Sequence, residues 1–464
     1  LRPPTATATP HTNPYGAGVY KGWCVANPSF CNAKLAGAYS FNPNGGSPED
    51  TDGHGSHTAS TSGGNKHTAS FNIGPTAYNL TIHGVAPRAN IVAYKVCNPS
   101  CPGTASVAAV NSAILNDQVD VLNYSISGSD SPWNDPVDLA FLDASNAGIY
   151  VSASAGNSGP GASTVAKTGP WNAAVAASTI NRIIANTVDV TGPTTPPALQ
   201  GMPATPGENT SILANVTGSI KYDPANLNGC VAFSAGFFTN SLALIQRGGC
   251  TLRCQGEQRG RGRRDRRGCL QQCGRSSISM GGLTGTPPAF MLDLDDGTAL
   301  KTFIDSNPTA TARVNAATSY LINNDWEDVV AGFSSRGPSQ FELVKPDYIA
   351  PGVNILAAVA ADGANPVQYA FLQGTSMSSP HSAGSAALMV GLYPSWTPAE
   401  IKSALASSAT GGLVKENGVT PADPSTWALV CWPWAARPTR VWSSTRPAPT
   451  TSRPTRLSAA IPRR

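Results

Sequence analysis

Short apolar runs alternate with stretches of small residues along the first third of the chain. Residues 90–96 (NIVAYKV) are β-branched and aromatic and predict a strand. The small-residue stretch at 105–116 predicts a helix, and 119–125 (VDVLNYS) a second strand. Residues 136–146 predict another helix, which leads into a third strand at 149–154 (IYVSAS). Strand, helix, strand, helix, strand at this spacing calls for a parallel sheet with helices on both faces. Such sheets gather working residues at the carboxyl ends of their strands. From about residue 181 to 317 the pattern becomes short Thr-, Pro- and Gly-rich β segments. Apolar runs at 330–333 and 353–357 then restore the α/β character. The reading is a β-rich domain inserted into a loop of an α/β domain.

Composition agrees with two domains. The chain has 464 residues, 41% hydrophobic and 12% charged, with 46 Gly and 39 Pro for turns and surface loops. No run of 18 apolar residues occurs, so no membrane span is expected. Leu1 opens a stretch without signal-peptide form, as expected of a mature or truncated product. The pairs Cys24/Cys31, Cys97/Cys101 and Cys230/Cys250 are closely spaced and suit disulfides formed in an oxidising compartment. Zinc is the rival reading, but no His-x-x-x-His or paired CxxC accompanies them. Four N-x-S/T triplets begin at Asn79, Asn123, Asn209 and Asn215 and are compatible with secretion, although Asn123 falls in an expected buried strand.

Charge is unevenly placed. Residues 253–275 hold eight Arg against Glu257 and Asp265, and residues 431–464 hold seven Arg and no acid. Setting these aside turns the chain's +4 into −9 for the remainder. Neither segment contains Lys, so two compositions are joined in one polypeptide.

Three motifs carry chemistry. In Asp52-Gly53-His54-Gly55-Ser56-His57, glycines flank an imidazole that can move protons near neutral pH. In Gly374-Thr375-Ser376-Met377-Ser378-Ser379-Pro380-His381, Ser376 falls at the start of an expected helix, with Pro380 read in its first turn. Unpaired N–H groups there can hold an oxyanion. Asn157, in Ser154-Ala155-Gly156-Asn157-Ser158-Gly159-Pro160 directly after a strand, can offer a further amide. Alone, each also suits a loop, a cap or a turn.

Together and in this order, DGHGSHTAS, SAGNSGP and GTSMSSPHSAG resemble the His, oxyanion-Asn and Ser motifs of the subtilase family over about residues 20–410. The resemblance implies a subtilisin-like three-layer α/β domain and a serine endopeptidase. It makes His54 the base, Ser376 the nucleophile and Asn157 the oxyanion donor. It also implies that Ser125, Ile126, Ser127 and Gly128 pair with substrate backbone, while Ala155 and Gly156 wall the first specificity pocket. Asn228-Gly229-Cys230 and 243–250 (ALIQRGGC) resemble a protease-associated domain. The expected organisation is therefore the first part of the subtilase domain at 1–180, the inserted domain at 181–320, the second part at 321–412, and an aberrant Pro/Arg-rich tail at 413–464. The implied partner is a polypeptide substrate, not nucleic acid or membrane. A secreted monomer without organic cofactor or metal site is expected.

Two departures qualify this. The family's Asp lies in an apolar strand before the His, and residues 1–49 contain no such strand. Asp50 and Asp52 lie too close to His54 and read as solvated loop charges. The expected fold therefore lacks its first catalytic strand, and the chain as written is expected to be inactive, with a non-catalytic binding protein as the rival. The Arg-rich stretches have the composition of sequence read out of frame, resuming near Met280. A basic surface loop and polyanion binding are the alternatives. On the out-of-frame reading Cys254, Cys269, Cys273 and Cys431 have no designed partners.

Overall fold

The computed structural model describes residues 11–424 except 43, 127, 208–209, 247–268, 274–287, 341–342, 361–367 and 410. The first unit begins with β1 (Lys21–Gly22), β2 (Leu35–Ser40), α1 (His54–Gly63) and the hairpin β3 (His67–Ile73) and β4 (Thr76–Ile82). It continues through β5 (Ile91–Lys95), α2 (Gly103–Ser112), β6 (Val121–Tyr124), α3 (Pro136–Asn146), β7 (Tyr150–Ser154) and β8 (Ala173–Ser178). The strands form two parallel sheets, ordered β1-β2-β5 and β17-β8-β7-β6, where β17 (Tyr348–Pro351) returns from far along the chain. The hairpin β18 (Ile355–Val359) and β19 (Gln368–Leu372) precedes α5 (Thr375–Leu392) and α6 (Pro398–Ser407).

Helices cover both faces of the four-stranded sheet, giving three layers. On one face Tyr124, Ile149 and Val151 pack with Val110 of α2 and Val137 and Phe141 of α3. On the other, Tyr150, Val175 and Tyr348 pack with Ala386 and Met389 of α5 and Ile401 and Leu405 of α6. Strands β7 (YVSAS) and β8 (AAVAAS) are wholly buried, as central parallel strands are. Their polar atoms are therefore matched across to α5. The Ser152 hydroxyl donates to the Ser379 carbonyl at 2.9 Å, and Tyr150 and Tyr348 share the Ser382 hydroxyl.

The second unit follows in chain order. It contains β9 (Arg182–Gly192), β10 (Met202–Pro206), β11 (Val216–Lys221), β12 (Ser241–Gln246), β13 (Cys269–Cys273), β14 (Ala289–Asp293), α4 (Leu294–Ser306), β15 (Thr311–Val314) and β16 (Ser319–Ile322). Strand β10 pairs with both β14 and β9, so the sheet closes on itself around Val188, Val190, Leu242, Leu244, Phe290 and Leu292. Helix α4 lies within the stretch read as β-rich, where no helix was expected. Asp293 caps it by accepting from the Asp296 N–H at 2.7 Å, and Leu300 and Ile304 enter the same core.

Strand β13, Cys-Leu-Gln-Gln-Cys, stands between β12 and β14, where a central parallel strand is normally an apolar run. The rest of residues 253–275 and the tail at 431–464 lie outside the described residues, as do Ser127, Asn209, Cys250, Cys254 and Cys431. Disulfides join Cys24 to Cys31 and Cys97 to Cys101. Residues 413–424 do not open a separate tail. Leu413 is buried with Val330 and Ile349, Val414 bridges to Val329, and Glu416 meets Arg336 at 2.7 Å. No helix among the described residues is long and apolar enough to cross a membrane.

Candidate active site

Helix α5 starts one residue before Ser376. Its N-cap Gly374 has φ 148° and no side chain to cap the helix, so the first-turn N–H groups must find other partners. The Thr375 N–H and hydroxyl both donate to Asn157 Oδ1, each at 2.9 Å. This fixes the Asn157 carboxamide with Nδ2 free to donate elsewhere. A methyl group built on Gly374 would stand 3.4 Å from Asn157 Nδ2 and 3.6 Å from Ser376 N. Two donors thus border one small space at the positive end of a helix, which is where a developing oxyanion is stabilised.

Pro380 lies inside α5, not in its first turn as the sequence suggested. Lacking an N–H, it leaves the Ser376 carbonyl without its i→i−4 partner. The Ser125 hydroxyl donates to that carbonyl at 2.8 Å, and the Ser376 hydroxyl donates back to the Ser125 carbonyl at 3.2 Å. Ser125 follows β6 directly, so the strand end and the helix start are locked together. Further along this segment, Ile126 packs among α2 and α3 side chains. Gly128 is exposed on one side but rests on Lys167, whose Cε would lie 2.0 Å from an added methyl. Ala155 is buried against Val165 and Ala174, and the Gly156 N–H donates to the Thr375 hydroxyl at 3.1 Å. Both are buried beside Asn157.

His54 is the first residue of α1. Gly53 before it has φ 103° and packs against Val359, 3.2 Å from where its Cβ would be. Burial holds the His54 imidazole below its usual range, opposed by Asp52 and Asp50. The burial thus favours the neutral form of the ring. Its ring makes no hydrogen bond among the described residues, to Ser376 or to any carboxylate. Asp50 is not a solvated loop charge: its carboxylate accepts from the N–H groups of Gly53 (2.9 Å), Ser56 (2.7 Å) and Asp52 (3.0 Å). Burial works against its ionisation, but these bonds outweigh it and keep the carboxyl below its usual range. Among the described residues Asp52 accepts only from the His54 backbone N–H, at 3.2 Å. Helices α1 and α5 pack side by side, and buried His57 feels both His54 and His381.

Sequence reading missed Thr375, which locks Asn157, and the capping role of Asp50. The first had no signal of its own, whereas Asp-x-x-Gly before a helix was legible. No group of three or more His, Cys, Asp or Glu among the described residues stands close enough to hold a metal ion. A cleft of about 320 Å³ lined by Tyr150, Trp171, Asp347 and Lys402 contains none of the candidate residues.

Comparison with known proteins gives a consistent picture. A model of the Subtilase family matches residues 29–425. The chain is 32% identical over 461 residues to Subtilisin-like protease SBT1.6 of Arabidopsis thaliana, covering 88% of this chain and 56% of that protein. It is 35% identical over 434 residues to Subtilisin-like protease SBT4.12 of the same plant, covering 86% and 54%. The chain thus spans a little over half the length of these curated relatives. Among solved structures, the psychrophilic subtilisin-like protease Apa1 from the Antarctic psychrotroph Pseudoalteromonas sp. AS-11 aligns over 90% of each chain, with TM-score 0.41 and 18% identity.

Proposed function

Because this chain belongs to the subtilase family, we propose that its site is built for peptide-bond hydrolysis through an acyl-enzyme, with Ser376 as nucleophile and His54 as base. The Ser376 hydroxyl attacks the carbonyl carbon, and the neutral His54 imidazole takes its proton and returns it to the leaving amine. The resulting oxyanion is held by the Ser376 N–H and Asn157 Nδ2. The observation that carries this reading is their convergence over Gly374, with Asn157 Oδ1 already engaged by Thr375. A side chain at 374 would fill that space. By the family resemblance, the segment from Ser125 to Gly128 pairs with substrate backbone. Two disulfides and an exposed N-x-S/T triplet at Asn79 are the grounds for secretion. The closed β unit between Arg182 and Ile322 acts as a protease-associated domain that contacts substrate or partner.

Among the described residues no carboxylate reaches the His54 ring, so turnover by these residues alone is expected to lie far below that of a complete triad. Loss of the triad Asp costs about 3 × 10⁴ in turnover in a subtilisin. Fluorophosphonate labelling tests the reading without requiring full turnover. Slow modification is expected at Ser376, abolished in Ser376→Ala and slowed about 10²–10³-fold in Asn157→Ala. A folded chain that takes no label at Ser376 is a binding protein, and the catalytic reading fails.

A further inference from the structure

Lys167 takes no part in the proposed chemistry, yet its side chain is 1% exposed and ends directly under exposed Gly128. A methyl group built on Gly128 would stand 2.0 Å from Lys167 Cε and 2.1 Å from Nζ, so only bare main chain fits above the ammonium. The Lys167 N–H also donates to the Ser129 carbonyl at 2.9 Å, and the Thr168 hydroxyl to the Asp130 carbonyl at 2.7 Å. Lys167 holds φ 57°, a left-handed conformation that strains a side chain and persists where the surroundings impose it.

The ammonium has two carboxylates in reach and bonds one of them. It donates to Asp135 Oδ2 at 2.7 Å, while buried Asp138 Oδ2 stays 3.9 Å away and has no hydrogen-bond partner among the described residues. Asp135 is the carboxylate tied to the same main chain. Its Oδ2 also accepts from the Ser129 N–H at 3.4 Å, and its Oδ1 from the Val137 N–H at 2.9 Å in the first turn of α3. The rings of Tyr124 and Phe141 face the ammonium at 5.6 and 5.7 Å. Burying an ammonium is costly, and an apolar side chain of the same length would fill the site at least as stably. Packing therefore does not account for the charge. What the charge adds is an anchor. Ser125 is locked to Ser376 at one end of the segment, and Lys167 with Asp135 holds Gly128 and Ser129 at the other.

We propose that Lys167, paired with Asp135, is a positioning residue for substrate, keeping the main chain at Gly128 and Ser129 in place to bond an incoming peptide. The claim rests on the reading that the segment from Ser125 to Gly128 pairs with substrate backbone and that Ser376 is the nucleophile. Lys167 itself touches no substrate, because Gly128 covers it.

The test compares two probes of Ser376 on the full chain. A small alkyl fluorophosphonate needs no main-chain pairing, whereas a tetrapeptidyl diphenyl phosphonate does. Lys167→Met keeps the side-chain length and removes its charge; Asp135→Asn keeps an oxygen for the α3 cap and removes the ion pair. Each is expected to slow the peptidyl probe about tenfold or more, as for loss of a charge-assisted bond, and to leave the small probe within about twofold. A peptidyl probe N-methylated so that it cannot pair should lose this sensitivity. Equal slowing of both probes would make Lys167 merely structural and overturn the proposal, as would an unchanged peptidyl rate in either variant. If Ser376 of the unmodified chain takes neither probe, the hydrolytic reading falls and the substrate role falls with it. Amide exchange then judges the anchor alone. Exchange in 126–131 should quicken about tenfold or more in Lys167→Met, and unchanged exchange there removes the anchor too.

Discussion

A single absent side chain decides whether the candidate oxyanion site exists. Gly374 has φ 148°, and any Cβ there would occupy the space bordered by Asn157 Nδ2 and Ser376 N. Gly374→Ala is expected to lower the melting temperature by several degrees, because φ 148° strains any residue with a Cβ, so labelling is read below that transition on chain shown to be folded by circular dichroism. Labelling of Ser376 should nevertheless fall by about 10² or more, comparable to losing one oxyanion donor. An unchanged labelling rate would remove this space from the mechanism. His57 gives a different residue-level test. Its ring is fully buried, Nε2 meets the Ile355 carbonyl at 2.9 Å, and Nδ1 has no partner. Burial pushes its pKa down to about 4 from the usual 6.5. Between those values the unfolded chain binds more protons than the folded one, so this contribution to stability is complete above pH 6.5 and is lost as the pH falls toward 4. The loss amounts to about 3 kcal/mol. Denaturant titrations from pH 7.5 to 4 should show it, and a His57 ring signal that titrates near 6.5 in the folded protein would contradict it.

At the scale of elements, the join between β6 and α5 holds the candidate nucleophile. Pro380 removes the donor for the Ser376 carbonyl and Ser125 supplies another. Ser125→Ala should destabilise the fold by about 1–2 kcal/mol through that unpaired carbonyl. In a Pro380→Ala background the helix can make its own bond, and the cost of Ser125→Ala should fall by about 1 kcal/mol. Additive effects in the double-mutant cycle would mean that the two positions are not coupled. Helix α3 was legible to the residue because Asp135 caps it, Pro136 fits its first position and its apolar face repeats. Helix α4 was passed over because its Asp293 cap sits inside a run of β segments. The α5 boundary was misjudged for a related reason. Proline was read as a start signal, whereas a tertiary partner lets it stand inside the helix.

Across the whole molecule, two cores share no residue. The closed sheet encloses Val188, Leu244 and Phe290, while Tyr150, Val175, Ala386 and Leu405 form the heart of the layered unit. Contacts between the units include the hydrogen bond between the Tyr78 and Thr318 hydroxyls at 2.8 Å and that from the Thr318 N–H to the Thr76 hydroxyl at 3.0 Å. Calorimetry should therefore resolve two unfolding transitions, and a single one with equal calorimetric and van't Hoff enthalpies would show that the units fold together.

Periodicity settled the parallel α/β layering, because buried strands and amphipathic helices advertise themselves locally. The residue types at 54, 157 and 376 were likewise readable, since glycine-flanked polar residues stand out in an apolar chain. What folding alone decided was partnership: which donor replaces a missing N–H, which hydroxyl orients a carboxamide, and which strand edges are left unpaired. Such pairings join residues as much as 251 positions apart, as for Ser125 and Ser376. A contact of that span is created by chain closure, and no local pattern encodes it.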